Sequence, residues 1–542
     1  MSGTSTAGSG NPRTYECAIA SPHSLGTSAG NAAIEAGGNA LDAALAAAIA
    51  LTVSYPHNTS IGGDLFALVR DPQGGITSIN ASGAAAGFTD VTAVRSRYKG
   101  DMPVTGVDTI TVPGAVGGLA AIHKLGALLP WGYAFTEAAI HADDGIPISP
   151  SLGKALEENS ALIDSNPGMR KLLHPEGHAL STGDVLRNPA LADTLRSLAS
   201  EGPETLYGGV LGATLIKGLQ DLGSVLTLND LAIYHAQIDS PLSTEFRDLQ
   251  VWTSPPNSQG FLLLEILSII EVLPLGMDLL GEDADVLAAI FQLATSDRTR
   301  LLADPSYCTS SADQLFSPEY VHAAAKRIVA SRYRNPNSPP LATQQRPGGD
   351  TVAVVTADTD GWAVSLIQSL FHSFGAGVLE PATGVMLHNR GSFFSLDTSS
   401  PNMLAPGKRP AHTLMPAMVT RDSHLEWVMG TMGGKAQPQI LTQVLLRAAN
   451  GAVAFDAIAQ PRFIIGGLEV DQPENTVHVE PKLGLVAEAL SPLGIPVTFL
   501  AENDETAGHA QLISVSIDGV LDAATDPRAD GTSIVVQRPS EP

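Results

Sequence analysis

A threonine at the start of an apolar strand is the residue in this chain that most suggests chemistry. Thr351 opens the run Thr351 to Ala357, directly after Gly348-Gly-Asp350 and far from either terminus. A threonine hydroxyl needs a neighbouring base to act as a nucleophile, and a threonine with a free α-amino group carries that base itself. The α-amino pKa is about 7.7–8.0, so part of that group is unprotonated near neutrality. We therefore predict cleavage before Thr351, although a threonine that merely favours the β conformation would look the same.

The elements around Thr351 predict a β-hairpin. Two apolar runs, Thr351 to Ala357 and Trp362 to Leu370, flank the turn Asp358 to Gly361. The preceding segment, residues 334–350, is rich in proline, glycine and polar residues, and we predict that it is exposed and mobile. Both a processing site and an ordinary linker have this composition.

A glycine pair later in the chain could bind an anion. Gly433 and Gly434 lie between a predicted strand, Leu425 to Gly430, and a predicted helix, Ile440 to Asn450. Backbone N–H groups at such a junction are free to point at a negative charge. A tight turn is the alternative interpretation.

Composition excludes several classes of function. The 542 residues are 44% hydrophobic and 16% charged, and the formal net charge of -25 argues against nucleic acid or an anionic membrane as a partner. Cys17 and Cys308 are too few for a disulfide framework. We see no signal peptide, and the most apolar stretch, Ala43 to Val53, is too short to span a bilayer. These observations predict a cytoplasmic location by default.

No cofactor or metal is predicted from the sequence. His57, His372, His388 and His412 are scattered, and none forms a helical ligand pair with a carboxylate. A phosphate-binding loop of the GxxxxGK[ST] type is also missing from the sequence.

The rest of the chain predicts a large α/β protein. Ala43 to Val53 reads as a buried helix, and Leu65 to Arg70 with Ile76 to Ala81 as a hairpin. Residues from about 135 to 330 are predicted to be mainly helical, interrupted by a strand near Phe246 to Trp252.

Several motifs, in order along nearly the whole chain, resemble the γ-glutamyltransferase family of N-terminal-nucleophile hydrolases. The matching segments are Gly37-Gly-Asn-Ala-Leu-Asp-Ala-Ala44, Pro56-His57, Ile61-Gly-Gly-Asp64, Thr111-Val-Pro-Gly-Ala-Val-Gly-Gly118, Asp350-Thr351, Gly384-Val-Met-Leu-His-Asn389, Gly407-Lys-Arg-Pro410 and Met432-Gly-Gly434.

The resemblance implies a proenzyme that cuts itself between Asp350 and Thr351. Residues 1–350 would be the large subunit and residues 351–542 the small one, folded together as a four-layer αββα sandwich of the α/β (α+β) class. Thr351 would be the nucleophile, with its freed amine as base. Ser369 would orient Thr351, and Gly433 and Gly434 would form the oxyanion hole. The oligomeric state is left open, a dimer of heterodimers included.

Departures from the family pattern bear on the substrate. Ser82 stands where γ-glutamyltransferases have an arginine for the substrate carboxylate, with no other arginine nearby in sequence. Ser392 replaces the aspartate that takes the substrate amine, and Phe371 replaces an asparagine. His412-Thr413 replaces a serine pair. We therefore do not expect glutathione to be the main substrate, because a site that reads glutamate through buried polar contacts loses heavily without them.

These changes resemble the oxamate amidohydrolase-like branch, which hydrolyses a small amide next to a carboxylate. Arg390 is then the candidate to bind the substrate carboxylate, since its planar fork suits a bidentate contact. A structural ion pair across the subunit seam is the alternative. His372, Ser392, His412 and Thr413 are further candidates for the pocket lining, although both histidines fit structural roles.

Four functions remain open on the sequence. They are hydrolysis of a small carboxylate-bearing amide, a γ-glutamyl hydrolase or transferase activity, a cephalosporin-acylase-like activity on a dicarboxylic acyl amide, and an inactive scaffold. The co-occurrence of Thr351, Ser369 and the Gly433-Gly434 pair argues against the scaffold.

Overall fold

Two packed β-sheets with helices outside them form the architecture, as seen in a computed structural model that describes residues 14–308, 311–331, 350–466, 476–491 and 496–539. The helices in these ranges are α1 Ser24–Glu35, α2 Ala40–Ser54, α3 Val91–Tyr98, α4 Ala115–Gly126, α5 Tyr133–Asp144, α6 Pro150–Glu158, α7 Ser160–Ser165, α8 Pro167–Leu173, α9 Pro189–Glu201, α10 Val210–Asp221, α11 Leu228–Ala232, α12 Phe261–Glu271, α13 Ala284–Leu301, α14 Pro318–Ser331, α15 Gln437–Ala449, α16 Ala454–Ala459 and α17 Gly484–Leu490. The strands are β1 Thr14–Ser21, β2 Asp64–Arg70, β3 Ile76–Ala81, β4 Ile146–Pro147, β5 Val185–Leu186, β6 Gln237–Asp239, β7 Leu242–Phe246, β8 Leu249–Thr253, β9 Asp350–Asp358, β10 Ala363–Phe371, β11 Val378–Glu380, β12 Val385–Leu387, β13 Ala417–Arg421, β14 His424–Thr431, β15 Phe463–Ile465, β16 Val477–Val479, β17 Val497–Phe499, β18 Ala510–Val515, β19 Leu521–Thr525 and β20 Thr532–Pro539.

The two large sheets are antiparallel and together contain most of the strands. The first has the order β20-β1-β9-β10-β2-β3-β6 and the second the order β19-β18-β14-β13-β8-β7. In the first sheet β1 lies between β20 and β9, so strands from before and after residue 350 are interleaved, and the second sheet also draws on both parts. The predicted large and small subunits could therefore not fold as separate domains, and the predicted cut between them stays a prediction.

Three apolar layers define the sandwich. A core between the sheets contains Val355 and Ala357 from β9 and Met418 and Val428 from β13 and β14. On the outer face of the first sheet, α2 and α4 pack against the opposite side of β9, β10 and β2, while α12 and α15 cover the second sheet. The predicted αββα fold is thus confirmed. No helix among the described residues is long and apolar enough to cross a bilayer.

The predicted hairpin lies at the centre of the first sheet. β9 and β10 pair with Thr351 opposite Ser369, and the pairing is interrupted by a bulge between Ser369 and Phe371. Since side chains alternate along a strand, Thr351 shares a face with Ala353 and Val355, which contribute to the layer between the sheets. The nucleophile candidate therefore faces into the sandwich.

Other elements agree with the sequence except at one place. Every residue of α2 is buried, as its alanine-rich composition predicts, and β2 and β3 form the predicted hairpin. The strand predicted near Phe246 to Trp252 is present as β8, but Phe246 belongs to the preceding strand β7, because a turn at Arg247, which has a φ of 57°, separates the two strands of the hairpin β7–β8. The predicted mobile segment, apart from Asp350, lies outside the described residues.

The close approach of the two sheets generates a stability prediction. A Cβ at Gly430 of β14 would lie 2.6 Å from Ile367 Cδ1 and 3.0 Å from Ala353 Cβ on the facing sheet. We expect Gly430→Ala to lower the free energy of unfolding by about 1–3 kcal/mol, because an overpacked core must shift backbone or rotamers. Urea denaturation measures this value.

Gly484→Ala is the matched control, since a Cβ at Gly484 would meet no atom within 4 Å. We expect the control to change stability by less than about 0.5 kcal/mol, as for an ordinary surface substitution. Equal effects in the two variants would contradict the proposed contact between the sheets.

Candidate active site

Thr351 and Ser369 form a short hydroxyl relay at the predicted processing site. The Thr351 hydroxyl donates to Ser369 Oγ at 3.2 Å, and the Ser369 hydroxyl donates to the backbone carbonyl oxygen of Asp350 at 2.7 Å. Both side chains are buried. The carbonyl oxygen that accepts this hydrogen bond from Ser369 belongs to the peptide bond predicted to be cut. The relay therefore brings three of the predicted site residues together in the uncut chain.

The β-bulge after Ser369 shapes the space next to this relay. The Phe371 amide donates to Ser369 Oγ at 2.7 Å, and Phe371 has a φ of 83°, unusual for a residue with a side chain. Its ring lies 4.3 Å from the His372 ring and 5.3 Å from the Phe393 ring. Phe371 is thus part of an aromatic cluster beside Thr351, at the position where the family pattern has an asparagine.

A buried carboxylate, that of Asp64, connects segments on both sides of the predicted cut. Asp64 Oδ2 lies 3.0 Å from His412 Nε2 and 3.2 Å from His388 Nδ1, and all three side chains are fully buried. Burial by itself raises the pKa of Asp64, but the two histidine rings outweigh it and bring the pKa below its usual range. Asp64 is therefore ionised at neutral pH, and it provides the negative charge of the cluster.

The two predicted histidines have different surroundings. His412 Nδ1 accepts from the Leu414 amide at 3.3 Å, so Nε2 carries the proton and donates to Asp64. Burial and the neighbouring Arg390 charge lower the pKa of His412 to about 3. His412 therefore has a neutral ring whose nitrogens are both occupied, which favours its structural interpretation. His372 is half-buried beside Phe371 and Asn389. The backbone N–H of His372 donates to the side-chain oxygen of Asn389.

Arg390 is fully buried and incompletely hydrogen-bonded. Its Nη1 donates to Thr413 Oγ1 at 3.1 Å, and its guanidinium carbon lies 3.9 Å from the centre of the Phe371 ring. Nε is 4.0 Å from Asp64 Oδ2, too far for a hydrogen bond, and within the described ranges neither Nε nor Nη2 has a hydrogen-bond partner. Burial lowers the pKa of Arg390 to about 9, which still leaves the group charged at neutral pH. Ser392, two residues on, has a buried hydroxyl that likewise meets no partner in the described part of the chain.

The glycine pair follows the end of β14. A Cβ at Gly430 would lie 3.0 Å from Ala353 Cβ, two residues from Thr351, so the turn that follows Gly430 lies at the same end of the sandwich. Gly433 and Gly434 have φ angles of 136° and 50°, which glycine adopts readily. The Gly434 carbonyl accepts from Gln259 Nε2 at 2.8 Å.

Ser82 belongs to a buried polar network rather than to an open pocket wall. Its hydroxyl donates to Asn80 Oδ1 at 2.7 Å and accepts from Asn257 Nδ2 at 3.1 Å. The sequence indicated no arginine close to Ser82, but the fold brings one from beyond the predicted cut: Arg409 Nε donates to the Ser82 carbonyl at 3.3 Å. This contact joins loops more than 300 residues apart, which is why sequence proximity missed it.

Three contributors to the site were not singled out from the sequence as functional residues. Asp64 appeared only as the last residue of a motif, while Asn257 and Gln259 lie in the segment Pro255-Pro-Asn-Ser-Gln-Gly260, which received no role. Polar residues that follow two prolines at a strand end are the signal that was available. Their importance depends on burial, which the sequence does not display.

Comparison with known proteins identifies the family. The sequence profile of the gamma-glutamyltranspeptidase family matches residues 26–536. This chain belongs to the gamma-glutamyltranspeptidase family. Family members are hydrolases of amide C–N bonds, and this chain is one of them.

Three relatives illustrate the similarity. The chain is 34% identical over 536 residues to an oxamate amidohydrolase proenzyme of Klebsiella pneumoniae, covering 97% of this chain and 99% of the relative. It is 34% identical over 525 residues to a glutathione hydrolase-like proenzyme of Bacillus subtilis, covering 95% and 98%. The crystal structure of a cephalosporin acylase from Bacillus halodurans superimposes with a TM-score of 0.86 at 33% identity, covering 98% of both chains.

The environment of Asp350 predicts a pH effect on the uncut chain. Burial and the nearby Glu505 carboxylate raise the pKa of Asp350 to about 7. Between the ordinary aspartate pKa of about 3.9 and this raised value, the folded chain binds more protons than the unfolded chain, so stability falls as pH rises through this window. We expect the melting temperature of Thr351→Ala to fall between about pH 4 and pH 7 and to level off above that range.

The control is the double variant Asp350→Asn/Thr351→Ala, in which the titrating carboxyl is gone. Scanning calorimetry should show a smaller fall in melting temperature for this variant across the same pH range. Parallel curves for the two proteins would show that Asp350 does not titrate in this way.

Proposed function

We propose that this protein cuts itself between Asp350 and Thr351 and then hydrolyses a small amide whose carboxylate lies close to the scissile carbonyl, such as oxamate. The observation that carries the substrate class is the free edge of Arg390. Nε and Nη2 project from one edge of the planar guanidinium, and both are buried without a hydrogen-bond partner among the residues that the structure describes. Two parallel N–H donors match the two oxygens of a carboxylate. Asp64 already contacts two histidines, so it compensates the Arg390 charge only in part.

Self-cleavage uses the hydroxyl relay. Thr351 Oγ attacks the Asp350 carbonyl carbon, its proton passes to Ser369 Oγ, and the Ser369 proton passes to the Asp350 oxygen. Collapse of this adduct breaks the bond to the Thr351 nitrogen, which takes up a proton, and leaves an ester on Thr351 Oγ. Water then hydrolyses the ester, which frees the Asp350 carboxylate and the Thr351 amine. The distances of 3.2 Å and 2.7 Å support both proton transfers.

Turnover uses the freed amine. It takes the Thr351 hydroxyl proton as the oxygen attacks the substrate amide carbon, and the amides of Gly433 and Gly434 stabilise the developing oxyanion. The leaving nitrogen departs as ammonia with the proton held by the amine, and water hydrolyses the acyl-Thr351 ester. Removal of one oxyanion donor typically costs about 2.7–4 kcal/mol of transition-state stabilisation.

The glutamate-specific alternative lacks support from the same residues. At the position of the carboxylate-binding arginine, Ser82 is engaged with Asn80 and Asn257, and the nearby Arg409 already donates its Nε to the Ser82 carbonyl. At the position of the amine-binding aspartate, Ser392 carries no charge. A γ-glutamyl compound would present an ammonium group with no buried carboxylate from these positions to receive it. The cephalosporin-acylase-like activity stays an outcome of the substrate test below.

Thr351→Ala is the decisive variant for the chemistry. We expect intact-mass spectrometry under denaturing conditions to show two fragments divided at Asp350-Thr351 for the wild type and one uncut chain for the variant. We also expect the wild type alone to release ammonia from oxamate. Release of aniline from a γ-glutamyl anilide, or of the acyl group from a glutaryl amide, without turnover of oxamate would instead establish one of the other two activities.

Arg390→Lys tests how the carboxylate is bound. Lysine keeps the charge but loses the fork, so we expect the KM for oxamate to rise and kcat/KM to fall by about 10- to 100-fold, the loss of one to two charge-assisted hydrogen bonds. Acetamide, which has no carboxylate, serves as the reference substrate, and Arg196→Lys on the exposed face of α9 is the control. An unchanged KM for oxamate would leave Arg390 with only its ion-pair role.

A further inference from the structure

The side-chain amide of Gln259 connects the segment that holds Arg390 with the Gly433-Gly434 pair. It is fully buried, and its Nε2 donates to the Thr413 carbonyl and to the Gly434 carbonyl, each at 2.8 Å. Thr413 holds Arg390 through its hydroxyl, while Gly434 belongs to the glycine pair. A single side chain from before the predicted cut thus spans two segments that come after it.

The neighbours of Gln259 hold the same segment in register. The backbone N–H of Gln259 donates to the His412 carbonyl at 2.9 Å, and the backbone N–H of His412 donates to the Asn257 carbonyl at 2.8 Å. Ser258 Oγ donates to the Leu414 carbonyl at 2.7 Å. Residues 257–259 therefore run alongside residues 412–414 like a short extra strand. Gln259 alone among them reaches onward to the glycine pair.

We propose that Gln259 is a positioning residue that fixes the separation between the Arg390 carboxylate-binding edge and the Gly433-Gly434 amides, and that it thereby selects amides with the carboxylate next to the scissile carbonyl. This inference rests on the proposed function. In oxamate the carboxylate is bonded directly to the reacting carbon, so no rotatable methylene can absorb an error in that separation. A longer amide such as succinamate has two methylenes that can.

Loss of the Gln259 amide has a defined physical consequence. The buried Thr413 carbonyl would lose the Gln259 donor and would need to move towards another partner or water, while the Gly434 carbonyl would keep only the backbone N–H of Gln437. The segments of Thr413 and Gly434 would then no longer be held at a fixed separation. Displacement of a reacting group by about 1 Å can cost about 100-fold in rate.

Gln259→Met tests the proposal, because methionine has a similar length and no donor. We expect kcat/KM for oxamate to fall about 100-fold and kcat/KM for succinamate to fall far less, so that the ratio of the two drops by about tenfold or more. The matched control is Gln443→Met on α15: Gln443 Nε2 also donates to two carbonyls, those of Phe463 at 2.8 Å and Gln439 at 3.3 Å, outside the candidate site. The ratio should not change in the control.

The ratio separates positioning from general stability. Equal losses on the two amides, or no loss, in a Gln259→Met protein that has processed itself would overturn the inference. Gln259→Asn, which keeps the amide but is too short to span both carbonyls, replaces the methionine variant if that chain stays insoluble or uncut. The same drop in ratio is expected for it.

Hydrogen exchange decides the inference independently of substrate. If the wild type hydrolyses neither amide, the proposed substrate class is wrong, but the connection that Gln259 makes between the segments of Thr413 and Gly434 can still be measured. Peptides covering residues 411–416 and 432–436 should then exchange faster together in the Gln259 variant, and at the wild-type rate in Gln443→Met. Unchanged exchange in either peptide of the Gln259 variant would overturn the role of Gln259 as the connection between the two segments.

Discussion

A buried negative charge imposes the strongest constraint on this active site. The carboxylate of Asp64 is out of contact with water, and a charge in that position must be paired or hydrogen-bonded. His388 and His412 meet this requirement, and the Gly83 amide adds a weaker contact at 3.3 Å. Because these groups come from distant segments, the need to pair one carboxylate brings them to one point. Arg390 lies at the edge of this cluster, close enough to feel the charge but not to hydrogen-bond with it.

The strand that contains Thr351 is held in place from both sides. β9 pairs with β1 and with β10, and its far end is anchored where the Asp358 carboxylate accepts from the Tyr15 hydroxyl and from the Ala40 amide. Thr356 adds a hydrogen bond to the Ala40 carbonyl at the N-terminus of α2. A cut at the start of β9 would therefore leave these contacts intact. The same rigidity that holds the uncut bond beside Ser369 would hold the new amine there afterwards.

Under the proposed function, specificity would depend on which charged and polar groups the positions around Arg390 lack as well as on those that they supply. Phe371 lies 5.3 Å from the Phe393 ring and packs against the guanidinium of Arg390 at 3.9 Å, so the charged group has an aromatic neighbour. The network of Ser82, Asn80 and Asn257 satisfies its own hydrogen bonds and supplies no charge. Under the proposed function, such a site would favour a small anion and would give an amino acid's ammonium group little compensation. In buried polar sites generally, a hydrogen-bonding group left without a partner costs more free energy than a formed hydrogen bond contributes.

Much of the fold was readable from the sequence, and the site was readable in part. Two continuous apolar runs around a turn predicted the hairpin at Thr351, and an apolar, alanine-rich run predicted the buried α2, because both are local sequence patterns. Local pattern was not enough near Phe246 to Trp252, where the predicted strand β8 is preceded by a left-handed turn at Arg247 and a second strand, β7. The types of Thr351 and of the Gly433-Gly434 pair suggested a nucleophile and an anion site, and these roles stay predictions. The position of Arg409 against Ser82, the cluster on Asp64 and the span of Gln259 each join residues more than 100 positions apart. Only the tertiary structure decides such contacts, since they follow from how sheets and loops pack and from which buried groups find a partner there.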